Sequence, residues 1–227
     1  VSAPFAALVL ASLPRHGDLF AARRPPVTPA TLDRRLALLP ADFRSELDAI
    51  ETVLDWAQVQ AQPDDAAALA QARGVLARLT SPLLRAVVED RLAMRSVIAA
   101  IRWRRAGRTA PASRDAWGFS PLSFRISQRW TQPGFGLGPG EAWAARVVAS
   151  LGAGDTLAAE RAILGEAWRR LGQVRVADPH GLEAVALYVL RWRLIDRWTR
   201  RNAQAAAERF AGWTTALADQ ALAGVVP

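Results

Sequence analysis

The 227-residue sequence contains no cysteine, no lysine, only two histidines, one methionine and one tyrosine. Without cysteine there can be no disulfide, no thiol nucleophile and no cysteine-ligated zinc or iron-sulfur centre, and the usage fits a reducing compartment. His16 sits in a proline-flanked loop and His180 follows Pro179, so the pair has no metal-ligand spacing and reads as surface or capping residues. A catalytic serine would have no base to draw on. The expectation is therefore a non-enzymatic chain with no catalytic residue, no metal, no cofactor and no small-molecule substrate. Long apolar runs are also missing: Phe5 to Leu13 is too short to span a bilayer and lacks the basic leader of a signal peptide. This predicts a soluble, cytoplasmic chain.

What is present points to helices. The sequence is 51% hydrophobic, rich in Ala, Leu and Arg, and poor in β-branched runs, which favours an all-α protein. Its length suffices to bury a sizeable core as one large domain or two small ones. All 29 basic residues are arginine and the formal net charge is +8. The missing lysine follows from nucleotide bias as readily as from guanidinium chemistry, so it carries little functional weight. Arginine pairs bidentately with carboxylates and stacks on indole, and nine tryptophans offer surfaces for stacking.

Read in order, Phe5 to Leu13 predicts a short helix, with a buried strand as the alternative, opened by Ser2 and Pro4 and closed by Pro14. Residues 15–29 read as a surface connection. Thr31 to Leu39 predicts a short amphipathic helix. Pro40 opens the next, with Phe43, Leu47, Ile50, Val53 and Leu54 at spacings of three and four. Asp64 to Leu79 is an Ala-rich helix weakened by Gly74. Ser81 caps and Pro82 starts a long helix to about Ala106, with an apolar stripe of Leu83, Val87, Met94, Val97, Ile98 and Ile101. Asp90 falls inside that stripe, where a carboxylate is costly unless paired. It is expected to meet an arginine of a neighbouring helix, Arg191 or Arg193 first, as a structural ion pair. Residues 107–140 hold the densest glycine and proline in the chain, with a short helix within Phe119 to Trp130. The Gly134-Phe135-Gly136-Leu137-Gly138 step lacks the Lys and Ser/Thr of a phosphate loop. Helices follow over Glu141 to Leu151 and Thr156 to Leu171, with Asp155 as N-cap.

Gly181 to Arg201 is the segment around which the rest is organised. From Leu182 to Leu190 its side chains are apolar at almost every angle, which predicts an enclosed half. From Arg191 onward Trp192, Ile195 and Trp198 lie opposite Arg193, Asp196, Arg197 and Arg200, which predicts a half-exposed end. The helical pattern continues to about Ala223 through Phe210, Trp213 and Leu217. This Arg-Trp-Arg step echoes the one at Ile101 to Arg105. The echo suits a single all-helical domain over 1–227 built as two helical lobes, 1–106 and 141–227, joined by a Gly/Pro-rich crossing at 107–140.

Two arginine clusters remain, Arg102, Arg104, Arg105 and Arg108 at one helix C-terminus and Arg193, Arg197, Arg200 and Arg201 at another. They complement a helix dipole, or they are candidate partner-binding residues for an acidic protein, an anionic lipid surface or nucleic acid. Nucleic-acid binding normally brings lysine and a recognisable module, and neither is present.

Leu8-Val9-Leu10-Ala11-Ser12-Leu13-Pro14 resembles the "LVASLP" opening of a bacterial family of unknown function associated with V-type ATPases. Ala186 to Trp198, ALYVLRWRLIDRW, is similar to that family's "AYLLRLxIxxRW" helix. The helix around Glu89 to Arg105 stands where the family has a central helix, and Phe135-Gly136-Leu137 where it has "DFGL", with Gly134 in place of the acid. The family in turn resembles the C-type (also d-type) adaptor of V-type ATPases, an all-helical piece between central stalk and membrane rotor ring. The resemblance implies a non-catalytic peripheral subunit or assembly factor supporting ATP-coupled ion transport. Its implied partners are the proteins of the stalk and the ring, and it would be held peripherally at the inner membrane. The alternative is an arginine-rich helical nucleic-acid-binding protein.

Overall fold

A computed structural model describes residues 3–55, 65–111, 117–119 and 121–201. Among these residues the chain is all helical, without a strand. The order is α1 (Ala3–Ser12), α2 (Pro29–Leu36), α3 (Ala41–Leu54), α4 (Asp65–Arg78), α5 (Pro82–Arg105), α6 (Pro121–Gln128), two 3-10 turns (Pro133–Gly136 and Pro139–Glu141), α7 (Ala142–Gly152) and α8 (Thr156–Gln173). Helix α9 runs over residues 182–201. Ser2 and the continuation to Ala223 lie outside the described residues.

Local chemistry sets most of these boundaries. Thr28 accepts the amide of Thr31 ahead of α2, and Pro29 occupies the first turn, where its missing N–H costs nothing. Ser81 Oγ accepts the amide of Leu84 at 3.1 Å, and Pro82 opens α5. Asp155 caps α8 through the amide of Ala158 at 2.8 Å, after a turn in which Gly154 takes a φ of 77°. Pro40 is itself the N-cap of α3.

One cluster of buried apolar side chains runs from Ala6 on α1 to Trp198 on α9 and draws on every helix. In α5 the buried stripe is Leu84, Val87, Val88, Leu92, Met94, Val97, Ile98 and Ile101, while Leu83 is only half-buried. Helices α7 and α8 form a closely packed hairpin, and α5 packs against α3, α4, α6 and α7. Helix α9 is gripped on several sides. Ser81 Oγ donates to Glu183 at 2.5 Å, Tyr188 donates to the Pro14 carbonyl at 2.9 Å and Trp192 Nε1 donates to the Val27 carbonyl at 3.0 Å.

These contacts correct three expectations. The distal half of α9 is enclosed as thoroughly as the proximal half: Trp192, Leu194, Ile195, Asp196, Trp198 and Thr199 are all buried, and only Arg193 and Arg200 are exposed. The cover comes from α8 and from the 13–28 connection. That connection reads as surface from its prolines, yet it buries Leu19 and sets Phe20 edge-on against Trp198 at 5.1 Å. Likewise His16 is not a surface residue. Its ring lies 4.0 Å from that of Tyr188 and edge-on to Trp168 at 6.0 Å, whereas His180 is exposed as expected.

Candidate functional site

The two arginine clusters, built up residue by residue, do not have the same fate. On α9, Arg193 spans to Glu51 of α3 with bonds of 2.5 and 3.0 Å. Arg197 reaches Glu160 of α8 at 2.9 Å and Arg201 reaches the same carboxylate at 3.3 Å. Arg200 pairs with Asp196 one turn back, which supplies the buried carboxylate with its cation. All four candidate partner-binding arginines of this helix are therefore engaged with the protein's own acids, and three of the four tie α9 to another helix.

At the end of α5 the arrangement is different. Arg104 turns inward: its guanidinium lies 4.1 Å from the Phe135 ring centroid and donates to the carbonyls of Trp130 at 3.1 Å and Gln132 at 2.8 Å. Phe135 is fully buried and holds a φ of 57° between Gly134 at 55° and Gly136 at 56°. Three successive left-handed residues are costly for a phenylalanine, and burial of the ring beneath Arg104 offsets that cost. At Gly136 the φ of 56° strains any other residue, and a Cβ there would also displace the Gln132 side chain and press on that of Arg129. The segment is thus an anchor for the crossing. Arg102, Arg105 and Arg108 stay exposed, Arg108 lying 5.2 Å over the Trp103 ring. None of these three makes an ion pair among the described residues.

Asp90 is satisfied by an arginine from another helix, but that arginine is Arg170 of α8 at 2.6 Å, not Arg191. Arg170 also bonds Glu166 at 2.7 Å and Glu141 at 2.9 Å, so one guanidinium fastens α5, the turn before α7, and α8. Burial alone would lower the Arg170 pKa, and the three carboxylates raise it instead. Burial pushes Glu166 up, but hydrogen bonds from Arg169 and Arg170 outweigh that and hold it below the usual carboxylate range. Glu141 in turn accepts Trp143 Nε1 at 2.6 Å. This hub carries no expectation from the sequence. Its only trace there is the spacing of Glu166 to Arg169 and Arg170, three and four residues on one helix face.

Arg191 instead lies flat over Trp168, 4.0 Å from the ring centroid, with a buried Nε that has no hydrogen-bond partner among the described residues. Burial lowers its pKa. Burial, followed by the nearby Arg191 charge, pushes His16 down to about 4, so the imidazole is neutral near pH 7. Its Nε2 is likewise buried, with no hydrogen-bond partner among the described residues. Burial first, opposed by Asp90 and aided by Arg197 and Arg170, brings Arg91 down to about 10.

Among the described residues no group of three or more His, Asp or Glu could hold a metal ion. A cavity of about 30 Å³ beside Ala72, Leu92, Ser96 and Trp117 has room for a water molecule. No described helix is long and apolar enough to cross a membrane. The geometry defines a helical body braced by internal arginine-carboxylate pairs, with one exposed arginine cluster at the end of α5. No protein-family model, no curated protein and no solved structure matches the chain.

Proposed function

We propose that this chain is a non-catalytic peripheral subunit or assembly factor of a bacterial V-type ATPase, resembling the C-type adaptor and linking central stalk to membrane rotor ring. One observation carries the reading. The segments on which the resemblance rests are far apart in sequence and pack onto one another. Tyr188 of the ALYVLRWR segment bonds the carbonyl of Pro14 at the end of the LASLP segment, 174 residues away. Arg104 of the central helix clamps the Phe135-Gly136-Leu137 step. An adaptor under torque needs such cross-bracing. In this reading the protein resides in the cytoplasm, held at the inner membrane through the complex.

The test is affinity purification of the tagged full chain from gently solubilised membranes of its native host. Stalk or ring proteins are expected in the eluate at low salt. Their absence at every salt concentration would remove the proposal. The nucleic-acid reading keeps only the exposed α5 cluster, because the α9 arginines are engaged with carboxylates. It requires an affinity that falls steeply with salt, and an absence of binding to single- or double-stranded probes would exclude it.

A further inference from the structure

The net charge of +8 is confined to one part of the chain. Residues 91–140 hold nine arginines and a single acid, Asp115, so this stretch accounts for the whole excess, and the remainder balances at 20 arginines and 20 acids. Asp115 lies outside the described residues. The fold gathers the exposed members of the stretch. Helix α6 lies alongside the C-terminal half of α5, because its two ends are fastened there. Phe119 N donates to Ser96 Oγ at 2.7 Å just before α6 begins, and Arg104 donates to the Trp130 and Gln132 carbonyls just beyond its end. Arg125 on α6 therefore joins Arg102, Arg105 and Arg108 on one two-helix unit. All four are exposed, and none makes an ion pair among the described residues. Arg129, also exposed, spends one bond on the Gly136 carbonyl. Phe124 precedes Arg125 and is 49% exposed.

We propose that this end of α5 and α6 docks directly on an anionic lipid surface, with Phe124 entering the headgroup region and Arg102, Arg105, Arg108 and Arg125 meeting lipid phosphates. Charge complementarity selects the occupant. A protein interface has a core depleted of charge, with a polar rim around it, whereas here an exposed apolar side chain adjoins Arg125 in a stretch whose charged residues are, but for one, all arginine. A single-stranded nucleic acid needs successive free aromatic faces on which bases stack. The aromatic faces here are in use: Trp103 packs on Trp117 at 6.1 Å and beneath Arg108, and Trp130 packs on Phe135 at 5.4 Å. An exposed phenyl next to Arg125, on the two-helix unit that also carries Arg102, Arg105 and Arg108, matches the interfacial pattern of an apolar wedge with cations for anionic headgroups. The inference does not rest on the ATPase reading, since it requires no other protein.

The test is co-sedimentation of the full chain with vesicles of mixed phosphatidylcholine and phosphatidylglycerol against phosphatidylcholine alone. Binding to the anionic vesicles only is expected, with loss as salt rises from about 0.05 M to about 0.5 M. Each arginine at such a surface contributes roughly fivefold in partitioning, so the combined R102E, R105E and R108E protein should bind about 100-fold or more weakly. Phe124→Ser should weaken binding less and leave the salt dependence in place. R23E with R24E, at an exposed pair elsewhere, should leave binding within about twofold. Circular dichroism of each variant checks that the helices remain. Equal binding to both vesicle types, equal loss in the R23E/R24E protein, or tighter binding to single-stranded RNA or polyglutamate than to anionic vesicles at matched salt would each overturn the proposal.

Discussion

Ile101 to Arg105 and Leu190 to Arg193 read almost alike, IRWRR and LRWR, yet their side chains end in opposite surroundings. On α9 the tryptophan is fully buried and bonded to Val27, and the arginines of the following turns are bound to Glu51, Glu160 and Asp196. On α5 the tryptophan is half-buried and two of the three arginines face solvent. What separates them is the supply of acids. The helices around α9 bring carboxylates at positions 51 and 160, whereas residues 91–140 contain one acid in all. The same local motif becomes a brace where neighbours carry the opposite charge and a free cationic surface where they do not.

The contrast can be broken most strongly at the tryptophans. Trp192→Ala removes a fully buried indole and orphans the Val27 carbonyl, so it should cost about 4 kcal/mol of unfolding free energy, read from urea titration. Trp103→Ala should cost about half as much, since its ring is only partly enclosed. Similar losses at both sites would mean that the two steps are buried alike.

Next in size is the hub that holds the middle of α5. Arg170→Ala leaves the largely buried carboxylates of Glu141 and Glu166, and the more exposed one of Asp90, without their shared cation, for a loss of about 3 kcal/mol. Arg191→Ala, which removes a cation stacked on Trp168 and no ion pair among the described residues, should cost about 1 kcal/mol. The reverse order would restore Arg191 as the partner of Asp90.

A pH series sharpens the same region. His16 in the folded protein titrates near 4, below its ordinary value of 6.5. Between those values the unfolded chain takes up a proton that the folded one refuses. The contribution is therefore complete above pH 6.5 and is lost as pH falls toward 4. Partial exposure of the ring limits the loss to on the order of 1–2 kcal/mol. Glu166, held below the usual carboxylate range, contributes stability that is complete above about 4.5 and is lost only at lower pH. His16→Phe should consequently flatten the profile from about pH 6.5 to about 4.5 and leave the steeper fall below it, as followed by the urea midpoint.

Much of the architecture was legible because local chemistry writes it. Ser81 with Pro82 and Asp155 after Gly154 mark helix starts by donor satisfaction, and the spacing of Phe43, Leu47, Ile50 and Val53 marks a buried face. What stayed hidden depends on how helices are rotated against one another, which periodicity does not encode. Asp90 announces that it needs a cation, but whether that cation is Arg170 or Arg191 is set by the α5-α8 contact. The distal half of α9 looked amphipathic because its arginines are polar, and their carboxylate partners lie 142 and 37 residues away in sequence. The proline-rich connection at 13–28 concealed its packing role for a similar reason: Leu19 and Phe20 are single apolar residues with no period to reveal them.

The smallest effect is the most discriminating for the site itself. Arg193→Ala breaks a two-bond contact with Glu51 and leaves that carboxylate mostly buried, whereas Arg102→Ala removes an exposed cation with no ion pair among the described residues. Partly exposed pairs of good geometry contribute up to about 1 kcal/mol, and isolated surface charges stay within about 0.5 kcal/mol. Arg193→Ala should therefore lower the urea midpoint measurably while Arg102→Ala leaves it in place. A stability cost at Arg102 matching that at Arg193 would assign the α5 cluster to bracing and withdraw it from any contact with a partner. A neutral Arg102, by contrast, leaves its guanidinium free for whatever the exposed end of α5 meets.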